Sequence, residues 1–159
     1  MTERTAQQRN DEWLTPRWLT EILPQIDLDP CAHPSSSVRA AAGYDIRRGE
    51  DGLALPWRGV VFCNPPYTRT AKWLARCRAH GESGRTAIAL VPAVPGDGPW
   101  SRDVWGRAAR VGFILGRLAF RDPRTDAAVI RGRGHALVVW GPVPELPPHP
   151  RIAWVTGAT

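Results

Sequence analysis

Apolar residues in this chain come in short dense runs, most of them closed by proline or glycine. "QIDLD" (25–29) alternates apolar and polar positions at the period of a strand, and Pro30 stops it. "VVFC" (60–63) and "RTAIALVPA" (85–93) are nearly continuous apolar stretches, the pattern of strands buried on both faces. Trp73, Leu74 and Cys77 recur at helical spacing and predict a helix from about Thr70 to His80. Thr15-Pro16 reads as an N-cap followed by proline at the first helical position, opening a helix to about Leu23. "SSSVRAAAGY" (35–44) suits a short serine-capped helix, and residues 46–59 a loop with a brief turn. A further helix or helical turn is expected over 98–109. The tail reads as β in "VGFIL" (111–115), "GRLAF" (116–120), "HALVVW" (135–140) and "RIAWV" (151–155).

Strands that alternate with helices and then run together predict an α/β fold: a mostly parallel sheet, helices on both faces, and a C-terminal antiparallel hairpin. Its 159 residues suit one domain, expected over 13–159 after a flexible segment 1–12. Ligands in such sheets bind beyond the carboxyl ends of the strands, where Asp29, Asn64 and Pro92 would lie.

Composition narrows the function classes. Hydrophobic residues at 43% and charged residues at 23% fit a globular protein, and no apolar run reaches membrane-spanning length. With no signal-peptide core at the start, a cytoplasmic location is expected. Cys31, Cys63 and Cys77 form no CxxC pair, and the four histidines lack metal-ligand spacing, so neither zinc nor redox chemistry is expected. The net charge of +6 points to a polyanionic partner, although Lys72 is the only lysine among 21 basic residues and such arginine bias also follows from base composition. Arg117, Arg121, Arg124, Arg131 and Arg133 crowd the segment 116–135 against two aspartates, which reads as a nucleic-acid contact or as a solvated loop.

The chemistry concentrates in "VVFCNPPYTR" (60–69), where a buried strand stops abruptly on Asn64, Pro65, Pro66 and Tyr67. The prolines end ladder pairing and stiffen the turn. An amide, a fixed carbonyl and an aromatic ring in succession suit a grip on a flat polar group.

The ordered blocks "WLTP" (13–16), "DLDPCA" (27–32), "DGL" (51–53), "NPPY" (64–67), "LVPA" (90–93), "GRLAF" and "HALVVW" resemble the small phage-type DNA adenine-N6 methyltransferases, over nearly the whole chain. The resemblance implies a single-domain, Rossmann-like fold using S-adenosylmethionine, with DNA as partner and no metal. It makes Asn64 and the Pro65 carbonyl acceptors for the target amino group, Pro66 the residue that fixes the turn, and Tyr67 a stacking face worth roughly 1–3 kcal/mol per base. It assigns Asp29, with Pro30, to the cofactor's ammonium. It sets Trp13, Thr15 and Pro16 before a helix that would face the cofactor's carboxylate, Asp51 and Gly52 at its adenine amino group, and Leu53 against that ring. Arg69 and the arginines of 116–135 would contact DNA phosphates.

The chain departs from larger methyltransferases. Asp29 is followed by Cys-Ala-His-Pro instead of a glycine-rich loop. Asp51 lies only 22 positions after Asp29, so one helix–strand unit must be trimmed, and Asp45 is a candidate for the ribose hydroxyls. No inserted recognition domain is visible, which leaves sequence readout to loops 94–104 and 121–134 or to a second subunit; monomer and homodimer both fit. Trp100 and Trp105 line the mouth of the site or belong to the core. Cytosine N4, RNA guanine or protein glutamine could present the same amine, and a non-catalytic DNA-binding protein on this scaffold is the reading from another class.

Overall fold

The alternating stretch 25–29 and the two apolar runs form the parallel heart of one sheet. A computed structural model describes residues 11–156. Strands β1 (Ile26–Asp29), β3 (Val61–Cys63) and β4 (Ala87–Pro92) pair in parallel, with β2 (Ala40–Gly43) parallel on the outer side of β1. Beyond β4 come β8 (His135–Trp140), β5 (Arg110–Ile114) and β9 (Ile152–Thr156), each antiparallel to its neighbour. The order is β2-β1-β3-β4-β8-β5-β9, so five strands share a direction and β8 and β9 oppose it. The result is a mixed α/β domain with a large, mostly parallel sheet.

Each face of the sheet has its own core. Leu28, Val61, Cys63, Ala89 and Val138 pack under helix α2 (Thr70–Glu82), which buries Trp73, Leu74, Cys77 and His80, and under the short α3 (Gly98–Asp103). Phe62, Ile88, Leu90, Leu137 and Val139 face the other way, toward Leu19 of α1 (Arg17–Glu21) and toward Leu118, Phe120 and Leu146. Helices therefore lie on both faces, but the second is covered largely by loops and a hairpin. Burying a side chain such as Phe62 contributes about 1.5–3 kcal/mol.

Three expectations require correction. Residues 35–44 hold no helix; Ala40–Gly43 is strand β2, in register with Ile26, Leu28 and Asp29. Alanine favours helices by propensity, yet its small side chain also allows close approach, and a Cβ on Gly43 would lie 2.6 Å from that of Ala32. The consecutive C-terminal hairpin does not end the main sheet. It is β6 (Ala119–Arg121) with β7 (Ala128–Ile130), a separate two-stranded sheet, while the main sheet's antiparallel part joins strands distant in sequence. Finally, Thr15 does not cap α1: the N-cap is Pro16, with no side-chain hydrogen bond, and its carbonyl accepts from Leu19 and Thr20.

The expected flexible segment 1–12 lies outside the described residues up to residue 10. Asp11 accepts a hydrogen bond from Thr68 Oγ1 at 2.9 Å. Between Asp29 and Asp51 lie only β2 and a single 3-10 turn (Ile46–Arg48), as the short spacing requires. No helix among the described residues is long and apolar enough to cross a membrane.

Candidate functional site

Asp29 ends β1, Asn64 follows β3 and Pro92 ends β4, and because these strands are parallel the three meet at one edge. His135 joins them from antiparallel β8, opposite Pro92. The turn from Asn64 to Arg69 divides this edge into two clefts. Trp13, Thr15, Asp29, Pro30, Asp45, Asp51, Gly52 and Asn64 line the first. Tyr67, Trp100, Arg131, Arg133 and His135 are among those lining the second.

Asn64 is held from the chain's N-terminal side. Its Nδ2 donates to the Trp13 carbonyl at 2.8 Å and to Thr15 Oγ1 at 3.2 Å. A carbonyl can only accept, so the amide's orientation is determined and both of its hydrogens are used. No protein donor among the described residues reaches Oδ1. The same holds for the carbonyl of buried Pro65, whereas the Pro66 carbonyl takes the Arg69 amide at 3.1 Å. Two acceptors in consecutive residues are thus left for an outside donor. Thr15 was expected at the cofactor; it also lines that cleft, but its observed bond is to Asn64.

The two acids of "DLD" differ sharply. Asp27 Oδ2 accepts the Val60 amide at 2.7 Å and ties β1 to β3. Asp29 is only 6% exposed, and among the described residues its carboxylate accepts a single hydrogen bond, from the Cys31 amide at 2.9 Å. Burial pushes its carboxyl up to about 7, partly opposed by that bond. A buried carboxylate without a cation is costly, and a cation entering the cleft would relieve it. Burial and the neighbouring Asp29 hold the Cys31 thiol well above its usual range.

The loops that carry Asp29 and Asp51 touch. A Cβ on Gly52 would sit inside the Pro30 carbonyl, so only glycine lets the loops close. Trp57 Nε1 fixes the arrangement by donating to the Gly52 carbonyl at 2.7 Å. Asp51 Oδ1 accepts the Leu53 amide at 3.0 Å, the plain turn that its sequence suggests, while the residue still borders the cleft. Pro16 and Leu53 do not border it; Leu53 packs against the core below α2.

Sequence reasoning missed Arg47, His33, Ser36 and Trp73, all at the first cleft. Arg47 holds both carboxylate oxygens of Asp45, at 3.0 and 2.6 Å, and pulls that carboxyl below its usual range. The signal was the Asp-Ile-Arg spacing at the 3-10 turn. No three described His, Cys, Asp or Glu residues are grouped to hold a metal ion.

In the second cleft Tyr67 stands edge-on to Phe120, with ring centroids 6.1 Å apart, and tilted over His135 at 5.6 Å. Its hydroxyl is buried with no hydrogen-bond partner among the described residues, and that burial raises its pKa. Trp100 is fully buried and still borders this cleft, and Trp105 packs on it with its Nε1 bonded to the Pro95 carbonyl at 2.8 Å.

The candidate phosphate-binding arginines separate into two groups. Arg69 borders the first cleft, and Arg131 and Arg133 the second, with the Arg131 guanidinium 5.3 Å from the centre of the Trp13 ring. Arg121 and Arg124 pair with Asp126 and Asp122 inside the hairpin, and Arg117 donates to the Gly132 carbonyl.

A family model described as DNA N-6-adenine-methyltransferase (Dam) matches residues 2–152. No curated protein matches the chain.

Proposed function

The chain belongs to the DNA N-6-adenine-methyltransferase (Dam) family, and we propose that it transfers a methyl group from S-adenosylmethionine to the 6-amino group of adenine in DNA, on a Rossmann-like methyltransferase sheet. The observation that carries the reading is Asn64. Both its amide hydrogens are committed to Trp13 and Thr15, which leaves Oδ1 to accept from an amine. An exocyclic amine is a poor nucleophile because its lone pair is delocalised into the ring. Oδ1 and the Pro65 carbonyl together would take its two hydrogens and favour a pyramidal nitrogen whose lone pair is free to attack. Proline holds that carbonyl without further ordering cost.

The first cleft fits the cofactor. Asp29 is a buried carboxylate in want of a cation, which the methionine ammonium would provide. Trp13 and Trp73 each border the cleft with an indole N–H that has no partner among the described residues. Trp13, Thr15, Pro30, Asp51 and Gly52 would hold the remainder, with Asp51 toward the adenine amino group. S-adenosylmethionine supplies, when bound, a methyl group already activated on a sulfonium. Tyr67 would offer a stacking face to the target base, which must leave the duplex at a cost of a few kcal/mol. Phosphate contacts from Arg69, Arg131 and Arg133 would offset that cost.

Incubation with methyl-labelled S-adenosylmethionine and mixed-sequence DNA, then nuclease digestion and mass spectrometry, tests the reading. Label on the adenine 6-amino group is expected. No transfer, or label confined to cytosine, would sink it.

A further inference from the structure

The hairpin β6–β7 has two unlike faces, as the alternation of side chains along a strand requires. Phe120 and its cross-strand partner Val129 turn toward the core, the first fully buried and the second half-buried. Ala128 and Ile130 turn outward, and Ile130 is 66% exposed, the most of any large apolar side chain among the described residues. A single exposed isoleucine is unremarked in most proteins, but this one borders the second cleft together with Tyr67, Arg131 and Arg133. The hairpin that carries it is braced. Arg121 pairs with Asp126 and Arg124 with Asp122, Arg17 reaches Asp126 at 3.4 Å, and the Leu14 and Arg121 backbones exchange hydrogen bonds at 2.9 and 3.0 Å. Amine activation at Asn64 has no use for a braced apolar tip.

Resting on the adenine-methylation reading, we propose that Ile130 is a wedge, which enters the base stack of the duplex as the target adenine leaves it for the second cleft. A base turned out of a duplex gives up its pairing and stacking and leaves a gap behind it. The gap is walled by the faces of the neighbouring base pairs. A branched aliphatic side chain fills it with dispersion contacts and removes its own apolar surface from water. The surroundings of Ile130 fit a duplex. The hairpin's ion pairs fall on Arg121 and Arg124, which leaves Arg131 and Arg133, one and three positions after Ile130, for phosphates at the cleft. Phosphates held there set the stack against Ile130, while Tyr67 offers the departing base a face in the same cleft. The bracing of the hairpin serves the same end, since a wedge that yields holds no stack apart. Ile130 is thus a positioning residue, touching the vacated stack and not the reacting atoms.

The test uses the full chain, S-adenosylmethionine and a duplex carrying adenine at the methylated position or, to report unstacking, 2-aminopurine there. Ile130→Ser should lose about 10-fold in kcat/KM on the adenine duplex, the worth of burying one apolar side chain. It should also lose most of the fluorescence rise that wild type gives at saturation with the 2-aminopurine duplex. Ile130→Met, which is long and apolar, should keep both. On the target strand alone, where no stack is parted, Ile130→Ser should bind as tightly as wild type. Its Tm should match wild type as well, because the side chain it replaces is exposed. A serine variant that unstacks the duplex as wild type does overturns the inference. So does an affinity loss as large on the single strand as on the duplex, or a methionine variant as poor as the serine one. In those cases wild type still methylates adenine and the adenine reading survives; wild type that methylates no adenine overturns both.

Discussion

The two clefts flank one turn but are built for different guests. Among the described residues lining the first, Asp11, Glu12, Asp29, Asp45 and Asp51 outnumber Arg47 and Arg69, and Arg47 pairs with Asp45. In the second, Arg131 and Arg133 balance Asp11 and Asp97, and the character comes from Tyr67, Trp100 and His135. Surplus negative charge suits a cationic small molecule, whereas rings with unmet polar atoms suit a flat heteroaromatic one. Asn64 stands where they meet, in contact with the Trp13–Thr15 segment and two residues before Pro66, from which the aromatic turn begins. Such a division separates binding of the methyl donor from binding of the acceptor, so substitutions should sort by cleft.

Asn64→Ala should give the largest effect. Loss of an acceptor made for the transition state lowers kcat by on the order of 10²–10³, while calorimetric affinity for S-adenosylmethionine stays near wild type. A variant that turns over normally would remove Asn64 from the chemistry and dissolve the contrast between the clefts.

Asp29→Asn comes next and tests the first cleft alone. Removing a buried charge from its ionic partner costs about 2–5 kcal/mol, so cofactor affinity should fall by on the order of 10² or more while DNA binding is unchanged. The pH dependence has two opposite parts. The folded-state pKa of about 7 lies above the usual 3.8, so this carboxyl's contribution to stability is full below 3.8 and is lost as pH rises through 7. Asp29→Asn should accordingly gain in Tm over the unliganded wild type as pH rises across that window. Cofactor affinity of wild type should run the other way and weaken below about pH 7, because only the carboxylate pairs with an ammonium. Affinity that is flat with pH would place the ammonium elsewhere.

These side chains were visible in the sequence, but their states were not. β1, β3 and β4 could be read because buried runs closed by proline leave little choice. β2 could not, since Ala-Ala-Ala-Gly favours a helix until β1 offers it a ladder and Gly43 a close approach. Asn64 and Asp29 were named from their blocks, but only the fold sets Thr15 against an amide 49 residues away. Likewise it leaves Asp29 without a cation while satisfying Asp27, two residues before it. Ile130 lay in the arginine-rich segment with nothing to mark it as exposed at a cleft, because exposure is a property of packing.

Thr15→Val sharpens the comparison with a smaller effect. If Thr15 positions Asn64, kcat should fall about 10-fold, within the range of one lost hydrogen bond, and Thr15→Ser should restore it. A rise in KM for S-adenosylmethionine with kcat unchanged would return Thr15 to a purely cofactor-binding role.

The smallest expected effects distinguish arginines that look alike in sequence. Arg131 and Arg133 border the second cleft, whereas Arg121 and Arg124 are neutralised by Asp126 and Asp122 within the hairpin. A guanidinium that contacts phosphate releases a counterion on binding, so removing it lowers the slope of log affinity against log salt by about 0.9. Arg131→Gln and Arg133→Gln should each weaken DNA binding a few-fold at moderate salt and reduce the slope by about that amount. Arg121→Gln and Arg124→Gln should leave the slope nearly unchanged, because each partner aspartate would first have to surrender its charge. Equal slope changes in all four variants would mean that the hairpin pairs open on DNA, and that the phosphate-binding surface extends from the second cleft along β6 and β7.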